Sequence, residues 1–185
     1  MIRGIKPVHG VGINDADYNT NYPVRCKYYS KWTDMLMRCY SKHYQAKNPR
    51  YIGCTVCNDW LIFSNFKMWM ETQDWIGKEL DKDLLGDGRI YSPETCCFIS
   101  RAVNAFLVQR GSGLTGVCWH KDAKKFQSNC RNPFTKKQEN LGLYLTDIEA
   151  HNAWLARKNE HAISLAAKES DSKIKNALLS RYAQQ

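Results

Sequence analysis

Three short runs with a two-residue period, residues 116–121, 125–131 and 139–144, constrain this chain more than any other feature. Asp122-Ala123-Lys124 and Asn132-Pro133 separate them, and both are turn-formers. Thr146-Asp147-Ile148-Glu149 then supplies a capping box, which starts a helix. Runs this short, joined this closely, can only pair as a small antiparallel sheet, and the helix must cover one of its faces. Along 125–131 the alternation assigns Phe126, Ser128 and Cys130 to the helix-facing side. Lys125, Gln127, Asn129 and Arg131 fall on the other side. Residues 110–140 hold Arg110, Lys121, Lys124, Lys125, Arg131, Lys136 and Lys137 against Asp122 and Glu139. The outer face is therefore read as basic and amide-rich. Arg, Asn and Gln are the side chains that read guanine and adenine edges in a major groove. The plainer reading is a solvated sheet surface.

The N-terminal half has helical periodicity. Trp32, Met35, Leu36 and Cys39 fall at i, i+3, i+4 and i+7 within a helix expected over 28–44. Trp60, Phe63, Phe66 and Trp69 repeat at threefold spacing within a second helix expected over 58–70, and that stripe is assigned to the core rather than to base stacking. Leu80 to Asp83 opens a strand, Gly86-Asp87-Gly88 turns it, and Ile90 resumes it. A helix with apolar Ala102, Val103, Phe106 and Leu107 follows over 100–108. The fold class is α+β. The expected organisation is an extended basic arm over 1–27, a module over 28–109, a linker at Arg110-Gly111-Ser112-Gly113, a three-strand-plus-helix module over 114–168 and a last helix over 169–185.

Charge supports a polyanion as partner. The chain of 185 residues carries 27 Lys and Arg against 18 Asp and Glu, a net of +9. The excess sits at the ends: net +6 over 1–50, −3 over 51–109 and +6 over 110–185. A mean hydropathy of −0.56 and the lack of a 20-residue apolar run argue against a membrane span. The start, MIRGIKPVHG, has no apolar core of a signal peptide, so an intracellular protein is expected.

Eight cysteines invite a zinc reading. Cys54-Thr-Val-Cys57 is half of a structural site, and Cys39 with Cys96 or Cys97 would complete it. The alternative is a set of buried thiols that behave as small hydrophobes.

Two stretches resemble known families. LDKD (Leu80 to Asp83), YSPETC (Tyr91 to Cys96) and Asn104 stand in the order of the HNH, or ββα-metal, nucleases of phages. Trp32, Met35, Arg38, Cys39 and Tyr40, with CTVCNDWLIFSNF (Cys54 to Phe66), are similar to the same branch over residues 28–108. The resemblance implies a small ββα-metal module. One Mg2+ or other divalent ion would be held by Asp81 and Asn104, and a phosphodiester bond would be hydrolysed. The family usually places a His base beside the strand Asp, but this chain has Lys82 there. Lys82 is thus a candidate base or phosphate ligand, and His43 and the nearby tyrosines are alternative bases. Gly116-Val117, Lys125-Phe126, Leu141 to Tyr144, Glu149-Ala150 and Ala153 resemble the ethylene-response-factor type DNA-binding domain. Cys118 and His120 replace arginines common in that family. Lys121, Lys125, Gln127, Asn129, Arg131, Lys136, Gln138 and Asn140 are the expected contacts to double-stranded DNA. Together the resemblances imply a homing-type DNA endonuclease of phage origin, acting in a bacterial cytoplasm. The alternative is an HNH-fold DNA-binding regulator with weak or no catalysis.

Overall fold

A computed structural model describes residues 6–108 and 113–183. Arg110 and the linker's Gly111 and Ser112 lie outside the described residues. The chain divides into two units, Met1–Ile99 and Ser100–Gln185, so the expected 28–109 module is divided ahead of its last helix. The fold class is α+β.

In the first unit, α1 (Lys27–Tyr40) buries its apolar stripe of Trp32, Met35, Leu36 and Cys39. The helix expected to continue to 44 breaks at Ser41. The Ser41 hydroxyl accepts from Tyr44 N and caps a new helix, α2 (Lys42–Lys47). The second expected helix also divides. Asn58–Leu61 is a 3-10 turn, Ile62 is extended and bridges Ile13, and α3 (Phe63–Glu71) follows. Trp60, Phe63 and Phe66 are buried as expected, and Trp69 stacks on Phe98 at 5.7 Å. Trp32 Nε1 donates to Trp60 O at 2.7 Å, which satisfies the one polar atom of a fully buried indole. Each such side chain contributes about 1.5–3 kcal/mol of burial. Residues 6–24 do not stand off as an arm. They turn at Val8–Gly12, and Gly12 packs so closely on Trp32 and Leu36 that a Cβ would overlap both.

Four short strands complete this unit: β1 (Thr55–Val56), β2 (Glu79–Asp81), β3 (Ile90–Tyr91) and β4 (Cys97–Ile99). Ile90 does not resume β2. β3 runs parallel to β1, and β2 pairs antiparallel with β4, Asp81 opposite Cys97. The sequence reading missed β4 because Cys97, Phe98 and Ile99 are all buried and show no alternation.

The second unit opens with α4 (Arg101–Leu107), capped by the Ser100 hydroxyl. β5 (Val117–His120), β6 (Lys125–Arg131) and β7 (Gln138–Tyr144) form the expected antiparallel meander. α5 (Asp147–Ala166) covers one face and starts at the complete Thr146/Glu149 capping box; α6 (Ser172–Arg181) follows. Ser128 and Cys130 are buried beneath α5 with Ala150 and Trp154. Phe126, on the same face, is only half-buried, because it packs edge-on against an exposed Trp119 at the sheet's margin. Lys158 is buried in α5. Its Nζ donates to Phe106 O and lies over the Phe106 and Tyr182 rings, and burial pushes its pKa down to about 8.

Ser128 Oγ is fully buried and has no hydrogen-bond partner among the described residues. An unpaired buried hydroxyl costs about 1–3 kcal/mol. Ser128→Ala removes it without leaving a cavity, so the variant is expected to melt at a higher temperature. A lower melting temperature would show that the hydroxyl is paired in solution.

Candidate functional site

The end of β2 directs two neighbouring side chains to different tasks. Asp81 Oδ1 accepts from Asp83 N at 3.1 Å and Leu84 N at 2.8 Å, closing the turn that leaves the strand. Oδ2 takes no part in these two hydrogen bonds. Burial raises the Asp81 pKa above the ordinary carboxylate value, outweighing the two backbone donors. This hard oxygen suits Mg2+ better than a soft metal. Asn104 lies half-buried on α4, in the second unit.

Lys82 enters an open cleft of about 340 Å³ that Asp81 does not line. Lys82 is buried, at 4% exposure, and its ammonium donates to Asp83 Oδ1 at 2.7 Å. It lies 5.5 Å from the Tyr51 ring and 5.7 Å from the Tyr91 ring. Tyr51 is a hub for cations: Arg50 sits 4.9 Å and Arg38 5.8 Å from the same ring. Arg50 also donates to Tyr51 Oη, and Arg89 completes the lining. The turn around Tyr51 is held by Gln45, whose amide donates to Cys39 O and Tyr51 O. Cys54 Sγ lies within hydrogen-bonding distance of Gly88 O, joining the two loops that form the walls. His43 is exposed on α2 and does not line the cleft. Arg50, Tyr51 and Arg89 carry no motif, so sequence reasoning passed over them.

The outer face of the sheet assembles as the alternation requires. Cys118 faces Gln127, Asn129 faces Asn140, and Arg131 faces Gln138 across the strands. A bulge between Ser128 and Asn129 absorbs one extra β7 residue and keeps Asn140 and Gln138 on the outer side. Lys121, Lys125, Arg131, Lys136, Gln138 and Asn140 are exposed; Gln127 and Asn129 are half-exposed. Cys118 Sγ lies 3.8 Å from Gln127 Oε1 and 3.6 Å from Asn129 Nδ2, linking those two amides.

Glu139, counted among this module's acids, points inward. Arg157 grips both its oxygens at 2.9 Å, Asn132 donates at 2.8 Å, and His161 Nε2 lies 2.9 Å away. The Arg157 fork leads in holding this carboxyl well below the usual range. Cys130, Glu139 and His161 offer ligand atoms within 4.8 Å of one another, a group that could hold a metal ion. Arg157 already occupies the carboxylate.

The cysteine zinc set does not assemble. Among the described residues, Cys39, Cys54, Cys57, Cys96 and Cys97 contribute to no group of three or more converging ligands. All eight cysteines are free. Burial pushes Cys39 and Cys96 up to about 12, so both are protonated thiols packed as apolar groups.

Comparison with protein-family models, curated proteins and solved structures gave no match to this chain.

Proposed function

We propose that the chain is a DNA endonuclease that holds double-stranded DNA on its three-stranded sheet and cuts it with one divalent metal at Asp81. The outer face of β5–β7 carries the reading. It presents Lys125, Arg131, Asn129 and Gln138 to solvent while its one strand carboxylate, Glu139, is neutralised behind the sheet by Arg157. Such a surface attracts phosphates and offers amides and a guanidinium to base edges. Lys121 and Lys136 flank it as backbone contacts.

For catalysis, support comes from the order β2, β4, α4, with Asp81 at the end of β2 and Asn104 on α4. This is the strand–strand–helix succession of the nucleases that the sequence resembles. Asp81 would hold the cation through its other oxygen, Oδ2; Asn104, the companion ligand that the resemblance names, belongs to the second unit. The cation would supply charge stabilisation at the scissile phosphate.

A second reading, a DNA-binding regulator that does not cut, is favoured by one observation. Lys82 stands in the place of the usual His base and is ion-paired with Asp83. Supercoiled plasmid incubated with the protein and Mg2+ or Mn2+, beside duplex binding measured in EDTA over a salt series, separates the two. Cleavage abolished by EDTA supports the endonuclease; steep salt-dependent binding without cleavage leaves the regulator. Absence of both overturns the DNA reading.

A further inference from the structure

We propose that the cleft around Tyr51 is a phosphate-binding site that works without a metal. The proposal deepens the DNA reading by naming the group gripped by the first unit, and it rests on that reading only for the source of the phosphate.

Three cations surround one buried ring: Arg50, Arg38 and Lys82 lie between 4.9 and 5.8 Å from the Tyr51 centroid. Arg50 and Lys82 line the cleft together with a fourth cation, Arg89, whereas Arg38 is bonded to Tyr91 and is not part of the lining. Tyr51 is 7% exposed, so the ring is a low-dielectric wall against which these charges act strongly on an anion. Two carboxylates line the same space. Asp87 Oδ1 is engaged by Arg89 N in the turn. Asp83 accepts from the buried Lys82 ammonium, yet its side chain is 56% exposed. The Asp83 carboxylate thus occupies the position on Lys82 that a phosphate oxygen would take, and an incoming phosphate would compete with it.

The backbone is shaped for a close ligand. Gly88 has φ +77, and a Cβ there would lie 2.4 Å from Asp83 Oδ1 and 3.6 Å from Lys82 Nζ. The missing side chain makes room for an anionic oxygen in front of the ammonium, which the Asp83 carboxylate now fills. A volume of about 340 Å³ admits one phosphate with its sugar but not a duplex. Two guanidinium groups, Arg50 and Arg89, and the Lys82 ammonium line one cleft, and such groups match the shape and charge of phosphate oxygens.

The test is amide NMR of the full chain in EDTA, titrated with inorganic phosphate. Saturable shifts at Tyr51, Gly88 and Arg89, displaced by sulfate and not produced by chloride at equal ionic strength, are expected. Lys82→Gln would also disturb the core, so the deciding variant is Arg89→Gln on the exposed rim. It should weaken phosphate binding about tenfold with an unchanged melting temperature, as loss of a charge-assisted bond implies. An oligonucleotide with a 5′-phosphate and its unphosphorylated twin identify the source: preference for the first marks a terminal monoester, equal displacement an internal diester. Shifts that never saturate, that chloride reproduces, or that Arg89→Gln leaves intact overturn the proposal. Phosphate binding without any metal-dependent cleavage would refute the endonuclease and leave this site standing.

Discussion

Asp81→Asn is expected to lose plasmid cleavage by on the order of 100-fold or more while melting at a higher temperature than the unaltered protein. The activity loss follows from removing the anionic oxygen assigned to the metal. The stability gain follows from burial. Asn keeps an oxygen for the Asp83 and Leu84 amides, so the turn closes as before. It removes a carboxylate whose pKa burial has raised in the native state. A carboxyl with a raised native pKa binds more protons folded than unfolded between the two values, so stability falls as pH rises through that window. The penalty is fully present above the native pKa and gone below the unfolded value. The variant's advantage should therefore be greatest at neutral pH and shrink in acid. Thermal melts at pH 7 and pH 4, beside the cleavage assay, measure both. Unimpaired cutting would remove Asp81 from the metal site, and a lower melting temperature at pH 7 would show that its charge stabilises the turn.

Gly116→Ala should unfold the sheet unit, or nearly so. Gly116 has φ +82, which costs a side-chain-bearing residue about 1–2 kcal/mol. A Cβ there would lie 2.1 Å from Cδ1 and 2.2 Å from Cγ of Trp154. Trp154 is 5% exposed and stacked by His151, so it cannot retreat, and overpacking adds about 1–3 kcal/mol. Gly116 O also accepts from Asn129 N, so backbone relief would break the sheet beside its bulge. The sum approaches the whole stability of a small unit. Gly113→Ala is the control: φ +106, with nothing within 4 Å of the added atom. Hydrogen exchange of the β6 amides reads the effect. Protection in Gly116→Ala equal to that in Gly113→Ala would mean that Trp154 is not held where the structure has it.

Local chemistry made much of this legible beforehand. The Trp32 to Cys39 stripe, the Thr146/Glu149 box and the alternation along Lys125–Arg131 each depend on neighbours within a few positions, and each appears in the structure. Long-range features did not show. β2 chooses β4 over β3 because the buried run Cys97–Ile99 supplies a fully apolar partner, and no period marks such a run. The cleft joins loops near residues 50–54, 82–83 and 87–89, whose charges look like solvated surface when read in order. Cysteines spaced as zinc ligands became core atoms, since spacing cannot distinguish a ligand from a small apolar filler. Glu139 counted as a defect in a basic face until Arg157 and His161, 18 and 22 positions away, drew it inside.

The distribution of thiols has a practical consequence. Of eight free cysteines, five are buried, two are partly covered, and Cys118 alone is exposed. A maleimide dye added in slight excess should therefore report from the β5 edge of the outer sheet face with no engineering of the chain. Its fluorescence would respond to whatever docks on that face, and its bulk between Gln127 and Asn129 would block the docking. The native protein thus carries its own probe and its own inhibitor handle at a single sulfur.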